Sequence, residues 1–287
     1  MGSSADRLPF FAALRSATRF RDCLLLAAVP ALLVGVFCLP ETTKRSLTFS
    51  YTDPTLLTAY TANFVHFRVE HLAANVAGYI LLAGTGYALA VLAGRRRLFG
   101  VAGTTYLLAF PVVLSALNLA VPRDAYTYGF SGVVMAFAGL LPLLLVLYAQ
   151  EQLDPHVRVR YTPGLFFATL AVITVVALPH TTLTFAIAGA ATFMVGVYGL
   201  SIRSDRHRGV TFRTRLRERP GYGDAFILGL GLILGYPFVG FPTTSWLDST
   251  IVNLYAHFVG YCLAFIVPYL ALELGVFERT GSRSNDG

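Results

Sequence analysis

Gly129 to Gln150, GFSGVVMAFAGLLPLLLVLYAQ, decides how this chain must fold. The 22 residues carry no charge, and a helix needs about 20 apolar residues to cross the ~30 Å hydrocarbon core of a bilayer. The stretch therefore reads as a membrane helix. Its first turn holds Ser131 between Gly129 and Gly132. A serine in that place can bond to the backbone and do nothing more. To act as a nucleophile it needs a base and an oxyanion site, both delivered by other helices.

The rest of the sequence resembles this stretch in character. Of its 287 residues, 55% are hydrophobic and 13% charged, and the mean hydropathy is +0.64, well above an average soluble domain. Apolar runs occur at about 23–39, 72–93, 98–120, 129–149, 164–178, 183–200, 225–239 and 251–274. They predict eight spans in an all-α, polytopic membrane helical bundle, since unpaired backbone cannot face lipid. The runs 164–178 and 225–239 are short for a span.

Cys23, Cys38 and Cys262 fall within these runs at unrelated spacings, so they are expected to be packing residues rather than disulfides or metal ligands. Nothing in the sequence calls for a cofactor or a metal. The formal charge of +7 does not imply a nucleic-acid partner, because the basic residues sit between apolar runs.

Their distribution predicts orientation. With the amino terminus in the cytoplasm, 18 of the 22 Lys and Arg residues fall in inner connections, leaving Lys44, Arg45, Arg68 and Arg123 outside. The expected arrangement is a multi-pass cell-membrane protein with both termini cytoplasmic. It comprises an N-terminal segment 1–22, a membrane domain 23–276 whose first span is uncleaved, and a C-terminal tail 277–287. The arginine-rich stretch 201–222 reads as a topology anchor beside anionic headgroups.

This orientation brings several polar groups to one membrane face. The long first outer connection, 40–70, contains turn and strand formers and leads through His66 into the second span. There His71 and Asn75, four residues apart, share a helix face. Either alone could be an interfacial residue satisfied by water or backbone, but polar groups inside spans are costly and tend to be functional. Ser131 begins the fourth span at the same face, and Gly132, Ala136 and Gly139 form a small-residue stripe suited to close helix approach. His180 lies at a hairpin tip and reads as a solvated or capping residue. Trp246, with Phe241 and Pro242, reads as an interfacial anchor or a mobile cover. The last span runs inward from Ile251, with Asn253 and His257 in its first two turns and His257, Gly260 and Ala264 on one face.

Three of these patterns together resemble the rhomboid intramembrane serine proteases: Phe64-x-His66-x4-His71-Leu72-x2-Asn75, Gly129-x-Ser131-Gly132 and Ala256-His257-x2-Gly260, in the family's order. The resemblance covers spans two, four and eight. It implies a rhomboid-like six-helix core with about two additional transmembrane helices. It also implies a Ser-His dyad, with Ser131 as nucleophile and His257 as general base, and with His71, Asn75 and the Ser131 N–H stabilising the oxyanion. His66, Gly129, Gly132 and Gly260 would support them. The implied activity is endoproteolysis of single-span or other membrane-protein substrates near the outer face.

The chain departs from the family in four places. Two further spans lie between the serine and the histidine, and the hairpin 164–200 is one choice for the inserted pair. The first outer loop lacks a Trp-Arg pair. Met135 stands where a tyrosine often packs on the histidine, and Ala264 where glycine is common. These departures motivate a competing expectation, a catalytically weak or inactive rhomboid-like binder of transmembrane segments. A small transporter has less support, because the only acidic residue well inside a span is Glu273, near its inner end.

Overall fold

The computed structural model describes residues 8–121, 124–204, 219–241 and 253–277. Pro242, Trp246, most of the arginine-rich stretch (Arg206 to Arg217) and the tail from 278 lie outside the described residues.

The chain is a helical bundle. Its helices in order are α1 (Phe10–Ala17), α2 (Phe20–Phe37), α3 (Glu41–Ser46), α4 (Leu56–Thr61), α5 (Val69–Leu92), α6 (Arg96–Leu108), α7 (Phe110–Asn118), α8 (Ser131–Tyr148), α9 (Thr162–Ala177), α10 (Thr182–Ser204), α11 (Tyr222–Gly235), α12 (Pro237–Gly240) and α13 (Leu254–Glu273). Seven stretches are long and apolar enough to cross a membrane, or eight if the bent pair α6–α7 counts as one span. The eight apolar runs of the sequence match these elements, with one structural difference: the third run is broken. Pro111, near the start of α7, has no N–H to continue the helical ladder. The two halves meet at 48°.

The two short runs also lengthen. Helical structure starts at Val159 before α9, and at Tyr222 for α11, so each forms a 19-residue stretch. Polar residues at these starts cut the apolar runs short without stopping the helix.

The helix α8 sits at the centre. Every residue from Gly132 to Tyr148 is buried, which explains a segment apolar on all sides rather than on one stripe. It packs against α5, α13, α11, α9, α6 and α7. By contrast, α10 packs principally on α9, and α2 leaves most of its surface exposed. Cys23 and Cys38 are exposed and Cys262 is half-buried. Of the three expected packing residues, Cys23 and Cys38 on the loosely packed α2 and its end make little protein contact, and Cys262 packs in part.

The connection 40–70 is ordered. It contains α3, α4, a 3₁₀ turn at Ala62–Phe64 and the strand β1 (Phe49–Ser50), which pairs antiparallel with β2 (Tyr126–Thr127). This two-stranded ribbon is the one departure from an all-α fold among the described residues. Asn63 fastens the connection to the bent pair, donating to the carbonyls of Ala59 (3.0 Å) and Pro111 (3.2 Å). Lys44 is buried, donates to the Phe37 carbonyl at 3.2 Å, and lies over the Phe37 ring.

Candidate active site

Ser131 is placed by its neighbours in sequence. Phe130 is fully buried between the rings of Phe64 and Tyr79, with centroids at 5.6 and 6.0 Å. The Gly129 N–H donates to the Ala62 carbonyl at 3.0 Å, and Gly129 itself has φ +112, a conformation that side chains rarely permit. A Cβ there would also lie 2.6 Å from His71 Cε1. Glycine is thus required twice, for the dihedral and for the approach of His71. The chain then enters α8 with Ser131 as its first residue, half-exposed.

Glycine sets the spacing to the last helix as well. A Cβ on Gly260 would run into the Gly132 carbonyl oxygen, and one on Gly139 into the Tyr261 carbonyl oxygen. The helices α8 and α13 therefore touch backbone to backbone, as the small-residue stripe predicts. Ala264 is fully buried, and its carbonyl accepts from Tyr106 Oη at 2.8 Å. The start of α13 is fixed by Asn253, whose Oδ1 caps the Ala256 N–H at 3.0 Å while its Nδ2 donates to Asn118 Oδ1 at 2.9 Å.

The result is a short contact between the two proposed reactive groups. His257 Nε2 lies 2.6 Å from Ser131 Oγ, and His257 Nδ1 lies 2.6 Å from the Gly240 carbonyl oxygen. A carbonyl can only accept, so Nδ1 carries the proton. Nε2 is then the bare nitrogen, and the serine hydroxyl donates to it. This is the arrangement a general base needs. No carboxylate contacts His257 among the described residues. Met135 is buried, and the ring packed against the imidazole is Phe241, edge-on at 5.9 Å and 80°.

A second histidine organises the opposite wall. His66 is completely buried. Its Nδ1–H donates to the Phe64 carbonyl at 3.2 Å, and its Nε2 accepts from Asn75 Nδ2 at 3.0 Å. The other Asn75 amide proton meets the His71 carbonyl, also at 3.0 Å. At rest, both Asn75 donors are therefore occupied, which residue spacing alone does not reveal. The two acceptors differ in their other donors. The His71 carbonyl lies inside α5, where a backbone N–H one turn on can also donate to it, whereas His66 Nε2 accepts from Asn75 Nδ2 and, at 3.5 Å, from the Phe130 N–H.

Ser131, His257, His71, Asn75, Gly129, Gly132 and Met135 all border one cavity of about 540 Å³. His66 and Gly260 stand behind its walls. His180 is elsewhere, exposed, with Nε2 at 3.1 Å from the Val175 carbonyl, in the capping role expected of it. No cluster of side chains suited to a metal occurs among the described residues. The contributions that sequence reasoning missed are the Gly240 carbonyl and the Phe241 ring. A backbone acceptor leaves no signature in a sequence, and Phe241 reads there only as an interfacial aromatic.

Burial lowers the pKa of His66 from 6.5 to about 4, with the neighbouring His71 and Lys44 adding to the effect and the Phe64 carbonyl opposing it. The unfolded chain then binds a proton between pH 6.5 and 4 that the folded chain does not. This contribution to stability is complete above pH 6.5 and is lost as pH falls towards 4, by on the order of 3 kcal/mol. Thermal melts between pH 7.5 and 4.5 are expected to show this decline in the parent and a flatter one in His66→Gln.

The chain matches no family model, and comparisons with curated proteins and with solved structures find no match.

Proposed function

We propose that the chain is a rhomboid-type intramembrane serine endopeptidase that cleaves membrane-anchored proteins. The observation that carries this reading is the 2.6 Å contact between Ser131 Oγ and His257 Nε2, made across two membrane-type helices at the mouth of a cavity. In the proposed reaction, Ser131 Oγ attacks the scissile carbonyl carbon as its proton passes to His257 Nε2. The oxyanion of the tetrahedral intermediate faces the Ser131 N–H, which makes no backbone bond among the described residues, together with His71 and Asn75. The imidazolium then protonates the leaving amine and the acyl-enzyme forms. Water, deprotonated by the same imidazole, hydrolyses it.

The packing supports a six-helix core made of α2, α5, the α6–α7 pair, α8, α11 and α13. The helix α11 packs on both α8 and α5, while α10 packs principally on α9. The α9–α10 hairpin is thus the added pair. Because a hairpin returns the chain to the side it left, the direction of α13 is unchanged and His257 still reaches Ser131. The charge distribution supports cytoplasmic termini and a site opening outward.

A serine-directed fluorophosphonate tests the reading. The parent is expected to be labelled and Ser131→Ala is not. A parent that resists labelling while folded would leave the alternative, a binder of transmembrane segments. Within the protease reading, Asn75→Ala is expected to reduce cleavage of a model single-span substrate by about 10²-fold, the usual effect of losing one oxyanion donor. His71→Ala should fall in the same range, measured as initial rates in detergent.

A further inference from the structure

The dyad has a third participant that is not a side chain. We infer that the Gly240 carbonyl, presented by the helical turn α12, is the positioning group that makes His257 a base, and that its fit against Met135 decides whether the group is in place. The inference rests on the protease reading for its consequence, though not for its geometry.

The turn is built to aim this carbonyl. The Gly240 N–H donates to the Tyr236 carbonyl at 2.8 Å, and the Phe241 N–H to the Pro237 carbonyl at 2.9 Å. Both peptide units flanking Gly240 are thereby fixed, and its own carbonyl is left to accept from His257 Nδ1 at 2.6 Å. Phe241, 1% exposed, packs edge-on against the imidazole. A side chain at position 240 would press on the buried Met135: a Cβ would lie 2.7 Å from Met135 Sδ, 3.3 Å from Met135 Cε and 3.5 Å from Tyr236 Cε1, so either the methionine or the turn must shift. Glycine at 240 and methionine at 135 therefore fit as a pair.

The chemical consequence follows from the two tautomers of neutral imidazole. With Gly240 seated, the proton is held on Nδ1 and Nε2 can take the serine proton. With Gly240 displaced, nothing among the described residues holds the proton there. A ring protonated on Nε2 cannot accept from Ser131. A carbonyl thus orients the base here, in the place a carboxylate takes in a catalytic triad.

The test uses the full-length protein in detergent, labelled with ¹⁵N-histidine, as parent, Gly240→Ala, Met135→Ala and the double variant. Two quantities are read: the ¹⁵N shifts of His257, assigned by their loss in His257→Ala, and the rate of fluorophosphonate labelling of Ser131. The parent is expected to show a protonated Nδ1 and a bare Nε2. Gly240→Ala is expected to show mixed tautomers and to label about 10²-fold more slowly, the scale of a misplaced reacting group. In the double variant, the space vacated by Met135 lets the turn reseat, and labelling recovers by about tenfold over Gly240→Ala.

A parent protonated on Nε2 would overturn the inference without any substitution, even if Gly240→Ala did not fold. A Gly240→Ala variant with the parent's spectrum and rate, or a double variant no faster than Gly240→Ala, would overturn it as well. A parent with the expected tautomer but no Ser131-dependent labelling would instead overturn the protease reading.

Discussion

Ser131→Ala and His257→Ala are each expected to reduce cleavage of a co-expressed single-span substrate by about 10⁴-fold or more, with the double variant no worse than either single. The non-additivity follows from the contact itself. The hydroxyl becomes a nucleophile only by passing its proton across the 2.6 Å to His257 Nε2, so removing either partner removes the whole step. Residual activity would come from binding and oxyanion stabilisation alone. Product formation in membranes, followed by immunoblot and then with purified protein, measures the effect. Parent-level cleavage in both single variants would eliminate the proposed chemistry whatever the geometry.

Gly139→Val and Gly260→Val are expected to cost about 3 kcal/mol or more in stability, since overpacking against an immovable neighbour is among the expensive core changes. The neighbours are backbone carbonyls, of Tyr261 and Gly132 respectively. A side chain can rotate aside, but a helical carbonyl can move only with its helix. Pushing α13 from α8 also separates His257 from Ser131, so fluorophosphonate labelling should fall even in the folded fraction. Gly196→Val on α10 is the control, because a Cβ there meets nothing within 4 Å. It should change stability by no more than about 0.5 kcal/mol. Thermal melts in detergent distinguish the cases, and equal losses at 139 and 196 would show that the close approach of α8 and α13 does not matter.

The sequence carried the fold class in its plainest feature. Long uncharged runs have few solutions in a bilayer, so helices at the predicted places follow from composition and length. The break at Pro111 was available from the residue type, but its 48° angle was not. The helical stretches at α9 and α11 begin before the apolar runs do, because helix propensity continues through polar residues that an apolar-run criterion rejects. The two exposed cysteines show a related limit: an apolar residue in a membrane segment packs equally well against protein or acyl chains, and sequence does not separate these outcomes.

The same division runs through the site. Residue type and order pointed to Ser131, His257, His71 and Asn75, because a serine hydroxyl, imidazoles and an amide are each chemically distinctive and the charge pattern predicts that they share one face. Their relation was decided by tertiary structure. The Gly129 dihedral and the backbone contacts of Gly139 and Gly260 bring Ser131 to His257. His66 occupies an Asn75 donor that spacing would leave free, and Gly240 sets the proton on the imidazole. Sequence by itself determined which chemical groups this protein has and that they lie in membrane helices, since side-chain identity and hydropathy are local properties. Only the tertiary structure decided the distances among them and the direction of each hydrogen bond, since these depend on how closely helices distant in the chain can approach and on carbonyls that every residue shares.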